Sequence, residues 1–168
     1  MSELPVKTTG TDTPEEITLQ WWSSLQDRRG DRAELKRSDD LAGIPFVAAY
    51  HDLYRRLAGT RWRHRAQLAL VAGVLAYVKS DDPSRPFAAQ MAAPRSGGEG
   101  AAVSGLRFRR LIQVEEPDEL LPRMSRTVRM LGGRANIRDL ARSLYWWRSE
   151  RTRHNWAFEY YQAAPEND

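Results

Sequence analysis

Cysteine is absent from the 168 residues, which excludes disulfide frameworks, thiol nucleophiles and cysteine-based zinc or iron–sulfur sites. Histidine is nearly as scarce. His51, His64 and His154 stand apart, and none falls in an H-E-x-x-H or Glu-x-x-His pattern, so a metal site has no support. The longest apolar stretch, Ala66 to Val78, is 13 residues interrupted by Gln67 and Gly73, short of the roughly 18–20 residues that span a bilayer. The first ten residues lack the apolar core of a signal peptide. These absences predict a cytoplasmic protein with no membrane partner. Phosphate-loop, dinucleotide and hydrolase-elbow glycine motifs are missing too. The carboxylate pairs Asp39-Asp40, Asp81-Asp82 and Glu115-Glu116 fall in loops or at helix starts, where caps and solvated charge account for them. No catalytic residue, metal or cofactor is expected.

Lysine is scarce as well, and here the scarcity points somewhere. Of 26 basic residues only Lys7, Lys36 and Lys79 are lysines; the other 23 are arginines. The planar guanidinium suits phosphate, which it binds through two parallel hydrogen bonds. The charge is also uneven: residues 1–20 hold one base and four acids, whereas Gly105 to Asn155 hold twelve arginines against six acids. With a net charge of +4 and a pI near 9.7, that concentration makes a polyanion, and nucleic acid first, the candidate partner. A solvated arginine-rich helical surface is the plainer alternative.

Residues 1–12 are polar and aperiodic, and are predicted to form a flexible arm. Thr13-Pro14-Glu15-Glu16 is a capping box with proline at the first helical position, followed by Ile17, Trp21 and Leu25 on one face. Asp31 and Glu34 suggest a short second helix over 32–37. Pro45 is expected to open a third, with Phe46, Tyr50, Leu53 and Leu57 as its apolar stripe and Gly59 as its end. Thr60 then caps a fourth helix over 61–79, apolar on nearly every side from Leu68 to Val78 and so central to a bundle. After the break at 81–86 a short helix is expected over 87–92. In the second half, helices are predicted over 104–114, 117–131, from Asn136 to Trp147, and after Ser149. Nothing alternates with period two over a strand's length. The fold class is all-α, with two small helical subdomains over 13–93 and 101–163 in an elongated bundle, a loop at 94–100 and a tail at 164–168.

The arginines fall at helical spacing. Arg123, Arg126 and Arg129 form one stripe, and Arg134, Arg138 and Arg142 another, with Ile137, Leu140 and Leu144 opposite it. Two such helices side by side would line a groove with guanidinium groups, gripping phosphates without reading bases. Of the pairs Trp21-Trp22 and Trp146-Trp147, one member each is expected in the core, because neighbours on a helix point about 100° apart.

Four segments carry a family likeness: Gly30-Asp31-Arg32-Ala33-Glu34-Leu35-Lys36-Arg37; Ile44-Pro45-Phe46; Leu106-Arg107-Phe108-Arg109-Arg110-Leu111-Ile112; and Trp146-Trp147 followed by Arg153-His154-Asn155-Trp156-Ala157-Phe158-Glu159-Tyr160-Tyr161. In order and spacing the chain resembles, from about Thr13 to Gln162, the small subunit of the type I-E CRISPR Cascade complex, the CasB family. The resemblance implies a non-catalytic protein present in two copies along an RNA-guided surveillance complex. Its partners would be the other Cascade subunits, a second copy of itself, the crRNA, the target DNA strand and the displaced non-target strand of the R-loop. Carried over by motif, the nucleic-acid-binding residues would be Arg32, Lys36 and Arg37, then Arg107, Arg109 and Arg110, and on the helices that follow Arg126, Arg129 and Arg142. Lysine at 36 departs from the arginine frequent in the family and gives up the two-pronged geometry. A free-standing helical regulator and an adaptor for acidic proteins are the readings from other classes.

Overall fold

The computed structural model describes residues 12–95 and 97–166; all but the last residue of the expected arm lies outside them, as do Ser96 and the final two residues of the tail. The protein is all-α. Its order is α1 (Pro14–Leu25), α2 (Arg29–Arg37), a 3₁₀ helix (Leu41–Phe46), α3 (Ala48–Arg56), α4 (Arg65–Leu75), β1 (Ser80–Asp81), α5 (Phe87–Ala92), α6 (Gly105–Ile112), α7 (Pro117–Met130), β2 (Arg134–Ala135), α8 (Ile137–Tyr145) and α9 (Glu150–Ala163).

Capping residues start several helices where the sequence places them. The Thr13 hydroxyl accepts the N–H of Glu16 at 3.2 Å, Ser104 that of Arg107 at 3.3 Å, and Asn136 that of Asp139 at 3.2 Å. Each satisfies one of the donors orphaned at a helix start. Other boundaries move. α2 begins at Arg29, with Gly30 and Asp31 inside its first turn, where the acidic side chain meets the positive end of the helix. Pro45 sits inside the 3₁₀ helix rather than opening α3, so Phe46 is 89% exposed and Val47 takes the buried place. Thr60 holds a loop, accepting from Trp62 N–H and donating to Leu57 carbonyl, and α4 starts only at Arg65. In α6 the buried side chains are Phe108 and Leu111, while Leu106 is half exposed.

α4 is the central element, buried from Leu68 through Leu75. It packs against α3, α7, α8 and the 3₁₀ helix. The approach is close because Gly73 has no side chain: a Cβ there would lie 2.8 Å from both Ile44 and Leu121 methyls. α1 packs on α8 and α5 on α9, so one apolar cluster spans both halves of the chain. The two strands, not anticipated from the sequence, are a two-residue parallel ladder pairing Ser80 with Arg134 and Asp81 with Ala135. They tie the exit of α4 to the exit of α7.

The tryptophans fasten helices together through their N–H groups. Trp21 donates to Ala49 carbonyl at 2.9 Å, Trp22 to Val78 at 3.1 Å, Trp147 to Val114 at 2.7 Å and Trp156 to Ser143 Oγ at 2.8 Å. Both members of the first pair are therefore buried, against expectation, because α1 is covered on two sides. In the second pair Trp147 is buried and Trp146 is 48% exposed.

Candidate nucleic-acid interface

Leu35 anchors α2 on the core, which turns Arg32 and Lys36, four residues apart, toward the C-terminal end of α4. Arg32 is half-buried there. Its Nε donates to Ala76 carbonyl at 2.9 Å, and its Nη atoms donate to Val78 carbonyl and Gln26 at 3.3 Å each. A cation on the last carbonyls of a helix offsets their partial negative charge. Tyr77, just past α4, donates its hydroxyl to Lys36 carbonyl at 3.1 Å. Its ring has the Lys36 ammonium 5.4 Å from its centre and the Arg129 guanidinium, from the last turn of α7, also at 5.4 Å. Lys79 closes the group. Its N–H donates to Gly133 carbonyl at 2.7 Å, and its stem runs over Gly133, where a Cβ would sit 2.8 Å from Lys79 Cγ.

Four cations thus share one corner, and none of them has an ion pair among the described residues. The Lys36 amine is pushed below the ordinary lysine value by burial first, then by Arg32, Lys79 and Arg129. Each neighbour disfavours the charged form.

The positive surface continues past Met130. Arg95 donates to its carbonyl at 3.1 Å, and Arg107 approaches its sulfur at 3.3 Å, so Arg107 of α6 lies beside the end of α7 that carries Arg129. Adjoining them is a cleft of about 610 Å³ lined by Ser80, Ser84, Arg85, Arg95 and Arg134. Asp82, also in its wall, is held below the usual carboxylate range by hydrogen bonds from Ser84, with Arg134 and Arg85 adding to the effect.

The structure therefore brings Arg32, Lys36 and Arg129 into one cluster and sets Arg107 beside it. Arg37, Arg109, Arg110 and Arg126 are exposed and carry no ion pair among the described residues. The expected stripe on α7 is interrupted, since Arg123 is paired with Glu119 at 2.9 Å. The expected stripe on α8 is shorter by one, since Arg134 lies in β2 ahead of the helix. Arg142 is placed apart: its Nη2 lies 2.8 Å from Oδ1 of Asp139, an aspartate 8% exposed whose Oδ2 accepts the Phe87 N–H at the start of α5. Lys79, Arg85 and Arg95 join the surface without having been singled out in the sequence as binding residues, and Arg134 joins it from β2 rather than from the expected α8 stripe. Lys79, one of only three lysines in an arginine-dominated chain, was the signal within reach; Arg85 and Arg95 come from separate loops and had none. A second cationic patch sits at the N-terminal end of α4, where Arg63 and Arg65 lie 5.3 and 5.9 Å from the Tyr54 ring centre. Hydrogen bonds from these two arginines pull the Tyr54 hydroxyl below its ordinary value.

Among the described residues no group of three or more histidines and carboxylates could hold a metal ion, and no helix is long and apolar enough to cross a membrane. Fold and site together define an all-α protein whose charged groups converge into cationic patches. The family model for CRISPR-associated protein Cse2 matches residues 31–161, and the chain belongs to that family, the small subunit of CRISPR Cascade. The crystal structure of CasB from Thermus thermophilus is similar at 26% sequence identity, with a TM-score of 0.68 over 90% of this chain and 100% of that one. Among curated proteins nothing matches.

Proposed function

We propose that this chain is a non-catalytic, cytoplasmic subunit of a type I-E Cascade that grips the sugar–phosphate backbone of nucleic acid and so stabilises the R-loop. The observation that carries the reading is the corner around Tyr77, where Arg32, Lys36, Lys79 and Arg129 meet with no ion pair among the described residues. In RNA-guided recognition the new heteroduplex is close in stability to the duplex it replaces, so backbone contacts tip the balance. Neutralising phosphates on the displaced strand slows its return, and that task needs cations but neither base-reading side chains nor chemistry. Arg107 and the cleft arginines extend the track, with Arg37, Arg109, Arg110 and Arg126 as exposed supplementary contacts. Arg142 serves a different place and is taken up below.

Other Cascade subunits and a second copy of this chain need contact surfaces of their own. Phe46 at 89% exposure and Phe158 at 69% are the protruding aromatic groups suited to them. The division into two subdomains around 94–100 belongs to the same proposal. The test is twofold. Binding of the purified protein to two unrelated DNA and RNA sequences should be equal and should fall steeply with salt. In a reconstituted Cascade, a Lys36→Met, Arg129→Gln variant should load guide RNA normally and lose the R-loop sooner. A strong preference for one sequence, or an unchanged R-loop lifetime, contradicts the proposal.

A further inference from the structure

Trp146 is one of the exposed aromatic residues of the fold, at 48%. Four other tryptophans tie their N–H groups to the chain; among the described residues Trp146 has no such partner. It is nevertheless rigidly mounted. Its ring makes a T-shaped contact with Tyr145, centroids 5.0 Å apart at 84°, and Tyr145 is itself locked. Trp62 stacks on Tyr145 at 4.7 Å and 9°, and the Tyr145 hydroxyl accepts the Arg63 and His64 N–H groups at 3.0 and 3.2 Å. The indole edges a groove of about 410 Å³ between α8 and α9, shared with Arg142, Arg151, Thr152, Asn155 and Glu159. That volume falls in the roughly 300–1,000 Å³ range of small-ligand sites. A rigid, half-exposed indole loses little freedom on stacking, which is what a base-stacking platform needs.

Glu159 is a half-buried carboxylate near Asp139 and Arg142, and the groove's other charges divide into used and free. Asp139 is consumed by the Phe87 N–H and by Arg142. Arg151 is exposed and has no ion pair among the described residues. Arg142 spends Nη2 on Asp139 while its side chain stays 56% exposed. Asn155 offers both a donor and an acceptor to a base edge.

We infer that the α8–α9 groove holds one unpaired nucleobase stacked on Trp146, with Arg142 and Arg151 taking the flanking phosphates. The inference rests on the proposed nucleic-acid role and adds to it a site that distinguishes single strands from duplexes. It also separates Trp146 from its neighbour Trp147, which packs inside.

The test compares a labelled thymidine oligonucleotide with an abasic one of equal length, by anisotropy, on the full chain. Trp146→Leu should weaken thymidine binding roughly tenfold, within the range measured for removing one stacked base, leave its salt slope unchanged and leave abasic binding as in wild type. Trp146→Phe should recover most of the loss, and circular dichroism should show both variants folded. Arg151→Ala should weaken both oligonucleotides and lower the salt slope by about one unit. If the folded Trp146→Leu protein binds both strands like wild type, the inference is overturned while the proposed function stands. It is equally overturned if that variant keeps its affinity but drops out of the assembled Cascade, since the indole would then be a protein contact. Wild type binding neither strand overturns the proposed function, and this site with it.

Discussion

Removing Arg142 tests the structure where it departs most from the sequence pattern. On pattern alone Arg142 belongs to the solvent stripe opposite Leu140, and its loss should be nearly neutral to stability. The fold gives it a buried partner instead. Asp139 is 8% exposed; one oxygen caps α5 through the Phe87 N–H at 2.8 Å, and the other meets Arg142 at 2.8 Å. Exposed ion pairs contribute about 0.2–1 kcal/mol, whereas breaking a fully buried pair costs about 3–5. With one partner buried and the other half exposed, and with the Phe87 hydrogen bond kept, Arg142→Ala should cost about 1.5–3 kcal/mol. For a chain of this size that lowers Tm by about 3–12 °C. Glu159 sharpens the test. Burial first, then Asp139, raise its carboxyl above the ordinary range, and Arg142 opposes them. Without Arg142 the two carboxylates face each other uncompensated, so Glu159→Gln in the Arg142→Ala background should restore part of the loss, and more than it gains alone. Urea unfolding of the four proteins measures this. A neutral Arg142→Ala, or strict additivity, would refute the argument.

Glu159→Gln alone should act through pH. Because the folded protein holds this carboxyl above its ordinary value of 4.5, its contribution is present in full below that value and is lost as pH rises through the raised one; thermal melts from pH 4 to 8 should show wild type falling relative to the Gln variant across that window. Gly133→Ala places a Cβ 2.8 Å from Lys79 Cγ at a φ of +79°, so it should cost about 1–3 kcal/mol in a chemical melt and disturb the cationic corner, whereas Gly30→Ala, with open space around it, should be neutral or stabilising. Limited proteolysis should cut first within 94–100, where the described residues are all exposed; first cuts inside α7 or α8 would contradict the proposed division.

What the sequence made legible was whatever local chemistry decides. Thr13, Ser104 and Asn136 cap helices because a short hydroxyl or amide reaches its own N–H groups without help from the rest of the fold. The all-round apolarity from Leu68 onward placed α4 at the centre. Gly59, Gly132 and Gly133, all at positive φ, ended helices as glycines do. What was hidden depended on distant chain. Trp22 is buried because Val78 carbonyl, 56 residues on, meets its N–H. Phe46 is out because Asp40 and Asp118 hold the 3₁₀ turn that gives the inward place to Val47. For the candidate interface, Arg129 was legible as a cation at helical spacing and Arg32, Lys36 and Arg107 through the family motifs, but their meeting at Tyr77 and Met130 depends on contacts between segments far apart in the chain. Arg142 carried the right spacing and also meets Asp139, a partner periodicity cannot see because that aspartate turns inward to cap another helix.

The central claim is that the uncompensated cations around Tyr77 bind phosphate. Lys36 and Arg129 each lie 5.4 Å from the same ring centre, so their charges are at most about 11 Å apart and repel by at least roughly 0.4–1.5 kcal/mol, depending on the effective dielectric. That roughly cancels the cation–π attraction each gains from the ring. The decisive measurement is the slope of log affinity against log salt for single-stranded DNA, taken with the melting temperature on the same samples, for wild type and Lys36→Met, Arg129→Gln. The account predicts a slope shallower by about two units, each contact contributing close to one, with Tm unchanged within about 3 °C. An unchanged slope, or lost binding that merely follows a large fall in Tm, would contradict it.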